Sequence, residues 1–343
     1  MQCFIFIVGD WSMGYIIINI MAYIVIPFFA IRAINVGEKS KGLSLDACDT
    51  LKGLSILLIM IHHAAQKFMP AGFLKPYQDF GYLGVSIFIF LSGYGLTLSY
   101  LKNNKLNGFF RRRLSKVYTP FVVISLIYVV VYVITNHSYD LYEVIISILG
   151  VKLVNGSYWF VHYIIFAYVF YYFSLRFGHE KLGVWFVTFL TVIYWVACYN
   201  YALGKWWYTT SFCFPLGVYV AFHNEKIKSN IVDNIYLFVG FSVFLLAAST
   251  VAALTKILLL ASIAKTISSL TFAFLVYVGA TVVSINSPFL SRLGKFSYEV
   301  YLCHIFILSL FVDLNSAINA ILFITCTWLL SFLMHKTLYF RSA

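Results

Sequence analysis

Long apolar runs recur along the whole chain and are separated by short polar segments. Crossing roughly 30 Å of hydrocarbon takes a helix of about 17–25 residues, and the runs have this length. They predict eleven spans, at 12–31, 51–67, 80–101, 117–135, 158–175, 183–199, 206–222, 235–253, 266–285, 296–312 and 317–335. Because lipid offers no hydrogen-bond partners to loops or sheet edges, the predicted fold is an all-α, polytopic transmembrane helix bundle.

Two further apolar stretches, 141–151 and 257–264, are too short to cross a bilayer. We expect each of them to be an interfacial or re-entrant segment. No internal repeat and no low-complexity linker divides the chain, which favours a single bundle. The first apolar run is not preceded by a basic segment, so no cleavable signal peptide is predicted.

Composition agrees with a membrane protein, since only 10% of the 343 residues are charged whereas a soluble domain carries roughly 25%. The net charge of +12 does not indicate nucleic-acid binding, because the basic residues fall in short segments between apolar runs. With segment 32–50 in the cytoplasm, 18 of the 24 Lys and Arg residues lie on the cytoplasmic side, including Lys41, Lys105 and Arg341. This asymmetry predicts an N-terminus outside and a C-terminus in the cytoplasm.

The six cysteines predict neither a metal site nor a disulfide framework. They show no paired metal-ligand spacing, and most lie inside apolar runs, where cysteine behaves as a small buried hydrophobe. They are Cys3, Cys48, Cys198, Cys213, Cys303 and Cys326.

The second span carries a polar stripe. Lys52 and His63 are eleven residues apart, which is roughly 20° from full register on a helix and roughly 16 Å along its axis. Asp49 and Gln66 fall on the same face, whereas His62 points roughly 100° away and is expected to support its neighbour. Such a stripe should face the bundle interior, so His63 is predicted to be a general base. The alternative is that Lys52 only extends its ammonium group to the membrane surface and that His62 and His63 lie at the membrane–water interface.

A basic segment follows the third span. Loop 102–116 holds six Lys and Arg residues and no acid, and it includes Arg111, Arg112, Arg113 and Lys116. Charge alone favours a topology signal. The alternative is a cytoplasmic site for a polyanion such as a nucleotide phosphate, which arginine contacts in a bidentate manner.

Five motifs between about residues 45 and 335 resemble, in order, those of the acyltransferase-3 family of bacterial membrane acyltransferases. They are Asp49-Thr-Leu-Lys52-Gly-Leu with His62-His63, Gly84-Val-Ser-Ile-Phe-Ile-Phe-Leu-Ser92-Gly93-Tyr94, Arg113-Leu-Ser-Lys116 with Pro120, Ser157-Tyr-Trp159-Phe160, and Gly294-Lys-Phe-Ser297-Tyr298-Glu-Val-Tyr301-Leu-Cys-His304. Two positions depart from the family pattern, because Lys52 and Lys116 stand where the family usually has arginine. Charge is kept there, but the bidentate geometry of a guanidinium is lost.

The resemblance implies a ten-helix bundle. Span 12–31 lies outside it and is expected to be an added helix. The predicted division is therefore 1–44, an N-terminal helix with a cytoplasmic loop, and 45–343, a membrane acyltransferase domain. Some members of the family carry a second, soluble hydrolase-like domain, and none is expected here.

The resemblance also implies an activity. Members of the family move an acyl group, often acetyl from acetyl-CoA, to a hydroxyl on a sugar or another acceptor. We therefore expect an O-acetyltransferase of the bacterial plasma membrane that acts on an envelope or exported polysaccharide or on its lipid-linked precursor. Acyl-CoA is the expected donor substrate, and no permanently bound cofactor or metal is expected.

The expected site residues fall into three groups. His63 takes the proton of the acceptor hydroxyl, and Asp49 orients Lys52; an acyl-histidine intermediate is the mechanistic alternative. Ser92 and Gly93 are interpreted as a close helix contact rather than as a nucleophile. The donor phosphates are expected on Arg111, Arg112, Arg113 and Lys116, and the acceptor on Trp159, His162 and His304.

Two other classes of protein fit the same sequence. A transporter or flippase of lipid-linked sugars would also have a polar stripe, although such proteins often show paired repeats and broken helices, and no convincing pair is found here. A glycan polymerase also fits many spans with scattered basic residues. The acceptor, the acylated position, the acyl chain length and the oligomeric state do not follow from the sequence.

Overall fold

The computed structural model of the protein describes residues 12–40, 42–69, 71–103, 106–136, 140–311 and 314–339. Cys3, Lys41, Lys105, Arg341 and both chain ends lie outside these residues, so what was expected of them stays a prediction. The described chain is almost entirely helical, which confirms the all-α bundle.

The helices are joined by short connections. α1 (Met13–Ile20) and α2 (Ile26–Arg32) are linked by a π-helical turn and form one membrane helix, Met13–Arg32. The others are α3 Leu45–Ala65, α4 Lys75–Asn103, α5 Phe109–Asn136, α6 Leu141–Ile148, α7 Trp159–Asn200, α8 Cys213–Phe222, α9 Asn224–Asp233, α10 Ile235–Ala252, α11 Leu258–Val282, α12 Pro288–Lys295, α13 Ser297–Leu310 and α14 Ala317–Tyr339. Short 3-10 turns lie at Gly72–Leu74, Gly156–Tyr158 and Lys205–Trp207.

Eight helical segments of the described chain are long and apolar enough to cross a membrane. The three other predicted spans coincide with α3, α8 and α13. α3 has 21 residues, enough to cross, but it carries the polar stripe. α8 and α13 have 10 and 14 residues and are shorter than the spans predicted for them.

One short apolar stretch was assigned wrongly. The prediction treated 257–264 as a separate interfacial or re-entrant piece, but almost all of it forms the first turns of α11, which continues to Val282. The stretch 141–151 does contain a short separate helix, α6, of 8 residues.

Helix α7 folds back on itself as a hairpin. Its limbs, Gly156–Phe177 and Leu182–Asn200, are each long enough to cross a membrane. The ring centroids of Tyr163 and Tyr194 lie 5.4 Å apart, whereas a straight helix would separate these residues by roughly 46 Å. The chain therefore reverses between the limbs, as the predicted spans 158–175 and 183–199 require.

The two ends of the bundle differ in chemistry. α3 carries Lys52 near its start and His63 near its end. We call the first the basic end and the second the histidine end. At the basic end, β1 (Ile34–Lys39) and β2 (Val283–Ile285) form a two-stranded antiparallel ribbon. β1 lies in a segment predicted to be a loop, whereas β2 takes the place of the last residues of the predicted span 266–285. These strands are too short to show a recognisable alternation of polar and apolar positions.

Helix α4 lies at the centre of the bundle. In its most apolar window 67% of the residues are buried, against 11% for the peripheral α10. A Cβ added to Gly93 would lie 2.3 Å from the carbonyl oxygen of Phe214, and one added to Gly217 would lie 2.2 Å from that of Phe90. α4 and α8 therefore pack through small residues, as membrane helices commonly do, and Gly93 makes the close contact that was predicted.

The first helix is tied to the segment that leads into α4. The Tyr15 hydroxyl donates to the carbonyl of Ala71, 3.2 Å away. The Tyr77 hydroxyl donates in the opposite direction, to the carbonyl of Ala22, at 2.8 Å. These bonds hold the connection between α3 and α4 against the first helix at the histidine end.

Candidate active site

A cavity of about 470 Å³ lies at the histidine end, a volume typical of small-molecule sites. Helices α3, α4, α7, α11 and α13 and the connection before α8 supply its lining. Asp79 and Trp206 are exposed at its rim, so the cavity is accessible from this end. The lining residues are Ile59, His62, His63, Gln66, Gln78, Asp79, Gly81, Tyr82, Val85, Asn155, Gly156, Ser157, Trp159, Lys205, Trp206, Thr209, Thr210, Lys265 and Tyr301.

A chain of hydrogen bonds fixes the tautomers of the histidine pair. His62 Nδ1 donates to the carbonyl of Tyr77 at 2.9 Å, so its Nε2 carries the lone pair. Gln66 Nε2 donates to that lone pair at 3.2 Å. Gln66 Oε1 then accepts from His63 Nδ1 at 3.3 Å. His63 Nε2 is therefore left unprotonated in the cavity, as a base requires. We call Tyr77, His62, Gln66 and His63 the histidine relay.

Close packing of α4 on α3 holds the relay in place. A Cβ added to Gly81 would lie 2.3 Å from His62 Cδ2, so no larger residue fits beside this imidazole. The neighbouring Gln78 donates from Nε2 to the carbonyls of Ala65 and Phe68, at 2.9 and 3.2 Å, and covers the end of α3.

His304 lies beside the relay without lining the cavity. Its ring centroid is 5.3 Å from that of His63, and the side chain is fully buried. Nδ1 donates to the carbonyl of Val300 at 3.0 Å, while Nε2 has no hydrogen-bond partner among the described residues. A second imidazole with an unprotonated Nε2 is thus buried against the ring of His63.

Asp49 and Lys52 form an ion pair at the basic end, with Nζ and Oδ1 3.1 Å apart. Neither side chain lines the cavity, and the rise along α3 puts Lys52 roughly 16 Å from His63. The backbone of Asp49 packs against α12, where a Cβ on Gly294 would lie 1.8 Å from its carbonyl oxygen. The structure therefore pairs Asp49 with Lys52 and places both away from His63, at the opposite end of α3.

The basic segment is helical, so the prediction of a loop to residue 116 was wrong. α5 begins at Phe109 and has no acid in its first turn. Arg111 and Arg112 are exposed, as is Lys116 one turn later, while Arg113 is half-buried and close enough to the Tyr168 hydroxyl to act on it electrostatically. Four cations therefore stand at a helix start, whose positive end attracts anions.

Of Trp159 and His162, both predicted to bind the acceptor, only Trp159 lines the cavity. Trp159 lines the cavity at the start of α7. His162, one turn later, does not line it. Its Nε2 donates to the carbonyl of Gly150 at 2.6 Å, and its ring stacks on Trp207 with centroids 5.8 Å apart. These contacts account for His162 without a ligand.

A narrow apolar cleft leads from the cavity towards the basic end. It shares Ile59, Val85 and Tyr301 with the cavity lining. It continues to Phe88, Phe160 and Tyr298, which lie deeper on their helices. The Tyr298 hydroxyl donates to the carbonyl of Val117 at 2.8 Å, beside the basic turns of α5. This apolar cleft, with a volume of about 20 Å³, thus lies between the cavity and the basic turns of α5.

Sequence reasoning missed the far wall of the cavity. Lys205, Thr209, Thr210 and Lys265 all line it. The first three come from the connection before α8, and Lys265 lies on α11. Nothing in the spacing of these residues relates them to α3, because only the tertiary packing of the bundle brings them together.

A family model described as "Acyltransferase domain" (Acyl_transf_3) matches residues 45–334. No curated protein and no solved structure matches the chain. The matched residues run from the start of α3 into α14, so they include the histidine relay, the cavity, the apolar cleft and the basic start of α5. The chain therefore belongs to the acyltransferase-3 family and is a multi-pass membrane acyltransferase.

Proposed function

We propose that this protein transfers an acyl group, with acetyl as the expected group, from acyl-CoA to a hydroxyl of an envelope or exported polysaccharide or of its lipid-linked precursor. The observation that carries the proposal is that His63 lines an accessible cavity while Gln66 fixes its Nδ1 proton, which leaves its Nε2 unprotonated. A hydroxyl placed in this cavity has a base beside it.

The donor enters from the basic end in this proposal. The phosphates of acyl-CoA lie on Arg113 and its basic neighbours at the start of α5, where guanidinium groups and the helix terminus both favour anions. The pantetheine arm follows the apolar cleft at Tyr298 and Tyr301, whose side chains move apart to admit it, and brings the thioester to His63.

The reaction follows from this placement. His63 Nε2 takes the proton of the acceptor hydroxyl as its oxygen attacks the thioester carbonyl. The carbon–sulfur bond then breaks, the new ester forms, and the thiolate of CoA leaves with the proton returned from the imidazolium. Gln66 and His62 keep the imidazole in the correct tautomer and orientation throughout.

The proposed orientation puts the basic end in the cytoplasm of a bacterial cell, in its plasma membrane. Most of the Lys and Arg residues then face the cytoplasm. The cavity opens on the opposite side, where an exported glycan or a translocated precursor is met.

The test uses membrane vesicles that contain the full chain, acetyl-CoA labelled in its acetyl group, and an envelope glycan as acceptor. The parent should label the glycan. His63→Ala should insert and accumulate normally but lose a factor of about 10²–10⁴ in transfer rate. The matched control is His223→Ala, an exposed histidine next to α9 at the basic end.

Near-parental transfer by His63→Ala would overturn the assignment of the base. A flippase or polymerase would leave the glycan unlabelled even with the parent chain.

A further inference from the structure

The cavity wall opposite His63 carries two lysines and two hydroxyls with no described use. We infer that this wall is a subsite for an anionic group of the acceptor, either the carboxylate of an acidic sugar or the phosphate of a lipid-linked precursor. This inference rests on the proposed function, since the anion belongs to the molecule whose hydroxyl meets His63. Lys205, Lys265, Thr209 and Thr210 form the subsite.

Lys265 is a cation without a carboxylate partner. It lies half-buried on α11, with Nζ 4.8 Å from the ring centroid of Tyr82. None of the ion pairs among the described residues includes it. The Tyr82 hydroxyl is hydrogen-bonded to Ser268 at 2.8 Å, which fixes the ring below the ammonium group. A lysine held in this way is positioned for a charged ligand rather than for solvent alone.

The second lysine lies on the same wall. Ser269, one turn beyond Lys265, donates to the carbonyl of Thr209 at 2.8 Å and ties α11 to the segment that carries Lys205. Lys205 acts on Lys265 electrostatically, although the carboxylate of Asp79 acts on it more strongly and with the opposite sign. Two like charges that line one cavity repel each other, and a bound anion would relieve that repulsion.

The hydroxyl groups provide an independent observation. Thr209 and Thr210 are each 1% exposed, and the Oγ1 atom of each lacks a hydrogen-bond partner among the described residues. Both residues line the cavity. Buried hydroxyls are normally satisfied, so two unpartnered hydroxyls on residues that line the cavity with two lysines indicate a site for a ligand that accepts hydrogen bonds.

Asp79 is the carboxylate among the lining residues, and it acts on Lys265 electrostatically without forming a close ion pair with it. Asp79 lines the rim, where it is exposed and lies 3.9 Å from Lys75. The histidine relay holds one proton on each imidazole and is neutral in the arrangement described above. Two lysines against one carboxylate leave the lining with a net positive charge.

The experiment measures binding to the full chain in detergent through quenching of tryptophan fluorescence, because Trp159 and Trp206 line the cavity. The probes are cellobiose, the disaccharide acid in which one glucose is replaced by glucuronate, and glucose 1-phosphate. The variants are Lys265→Gln and Lys205→Gln. Lys256→Gln is the matched control, since this exposed lysine precedes α11 and does not line the cavity.

The parent should bind at least one charged probe roughly ten- to hundredfold more tightly than cellobiose, and the preference should weaken with salt. Lys265→Gln should remove most of the preference, and Lys256→Gln should keep it. Tighter binding of the glucuronate disaccharide identifies a carboxylate as the natural group, and tighter binding of glucose 1-phosphate identifies a phosphate. Equal binding of charged and neutral probes by the parent, or an unchanged preference in Lys265→Gln, overturns the subsite.

Transfer of labelled acetyl to the same probes separates this inference from the proposed function. Charge-dependent binding without transfer to any acceptor would leave the subsite standing and remove the proposed activity. Transfer to charged and neutral probes with the same KM would support the proposed activity and overturn the subsite.

Discussion

In the proposed mechanism, the histidine relay makes His63 a base without an acidic neighbour. The carbonyl of Tyr77 can only accept a hydrogen bond, so Nδ1 of His62 must donate to it. The donor and acceptor roles of Gln66 and His63 then follow in turn, and Nε2 of His63 is left without a proton. Residue spacing predicted that His63 and Gln66 share a face. It could not predict the direction of the protons, because Tyr77 reaches the relay only through the turn between α3 and α4.

Gln66→Leu tests the relay. Leucine removes both hydrogen bonds, so the rate of transfer should fall about tenfold while the KM for acyl-CoA is unchanged. Gln66→Glu keeps an acceptor for His63 Nδ1 and should retain more activity than Gln66→Leu. Steady-state kinetics on purified chains of equal thermal stability would check this. Equal activity in the parent and Gln66→Leu would show that the relay does not orient the base.

Among the helices, the contact between α4 and α3 sets the geometry of the site. Gly81 faces the ring of His62 with no room for a methyl group, whereas Gly95 on the same helix has open space beside it. The sequence identified both helices, but it does not distinguish these glycines, because the distinction depends on what lies across the interface.

Gly81→Ala should displace the His62 ring and lower the transfer rate. The added Cβ would come within 2.3 Å of the imidazole, and overpacking of this kind typically costs about 1–3 kcal/mol. Gly95→Ala should leave both rate and melting temperature near those of the parent, or raise the latter slightly. Parallel measurements of rate and melting temperature check the pair. A Gly81→Ala chain with parental kinetics would place the relay outside the reaction.

The start of α5 is the second element with a testable role. Arg113→Ala should raise the KM for acyl-CoA about tenfold, and Arg113→Lys should have a smaller effect because charge is kept while the planar fork is lost. The defect of Arg113→Ala should grow with ionic strength. Arg176→Ala is the control, since this exposed arginine lies on α7 at the same end. If all three variants bind acyl-CoA like the parent, the basic segment serves only to set the orientation of the chain in the membrane.

For the molecule as a whole, orientation is the property on which the proposed reaction depends. Lys75 and Lys102 are both exposed, at the histidine end and the basic end respectively. In a chain whose own cysteines are replaced by alanine, Lys75→Cys should react with an impermeant thiol reagent in intact cells. Lys102→Cys should react only after the membrane is opened. The reversed result would place the basic end outside the cell, where it could not meet cytosolic CoA, and would contradict the proposed orientation.

The parts of the fold that the sequence predicted are those governed by length and hydropathy. The spans and the position of His63 on α3 follow from periodicity over whole helices. The 257–264 stretch was misplaced because a run that is too short to cross alone can still belong to a longer helix. The wall with Lys205 and Lys265 escaped prediction because it is formed by contacts between distant segments.

The first helix lies outside the family match, yet Tyr77 connects it to the reaction. The hydroxyl of Tyr77 donates to Ala22, and its carbonyl accepts from His62. Only 28% of the apolar window of this helix is buried, so most of its surface meets lipid. Helices of this kind tilt to match the thickness of the bilayer. We therefore expect the composition of the surrounding membrane to affect the geometry of the histidine relay.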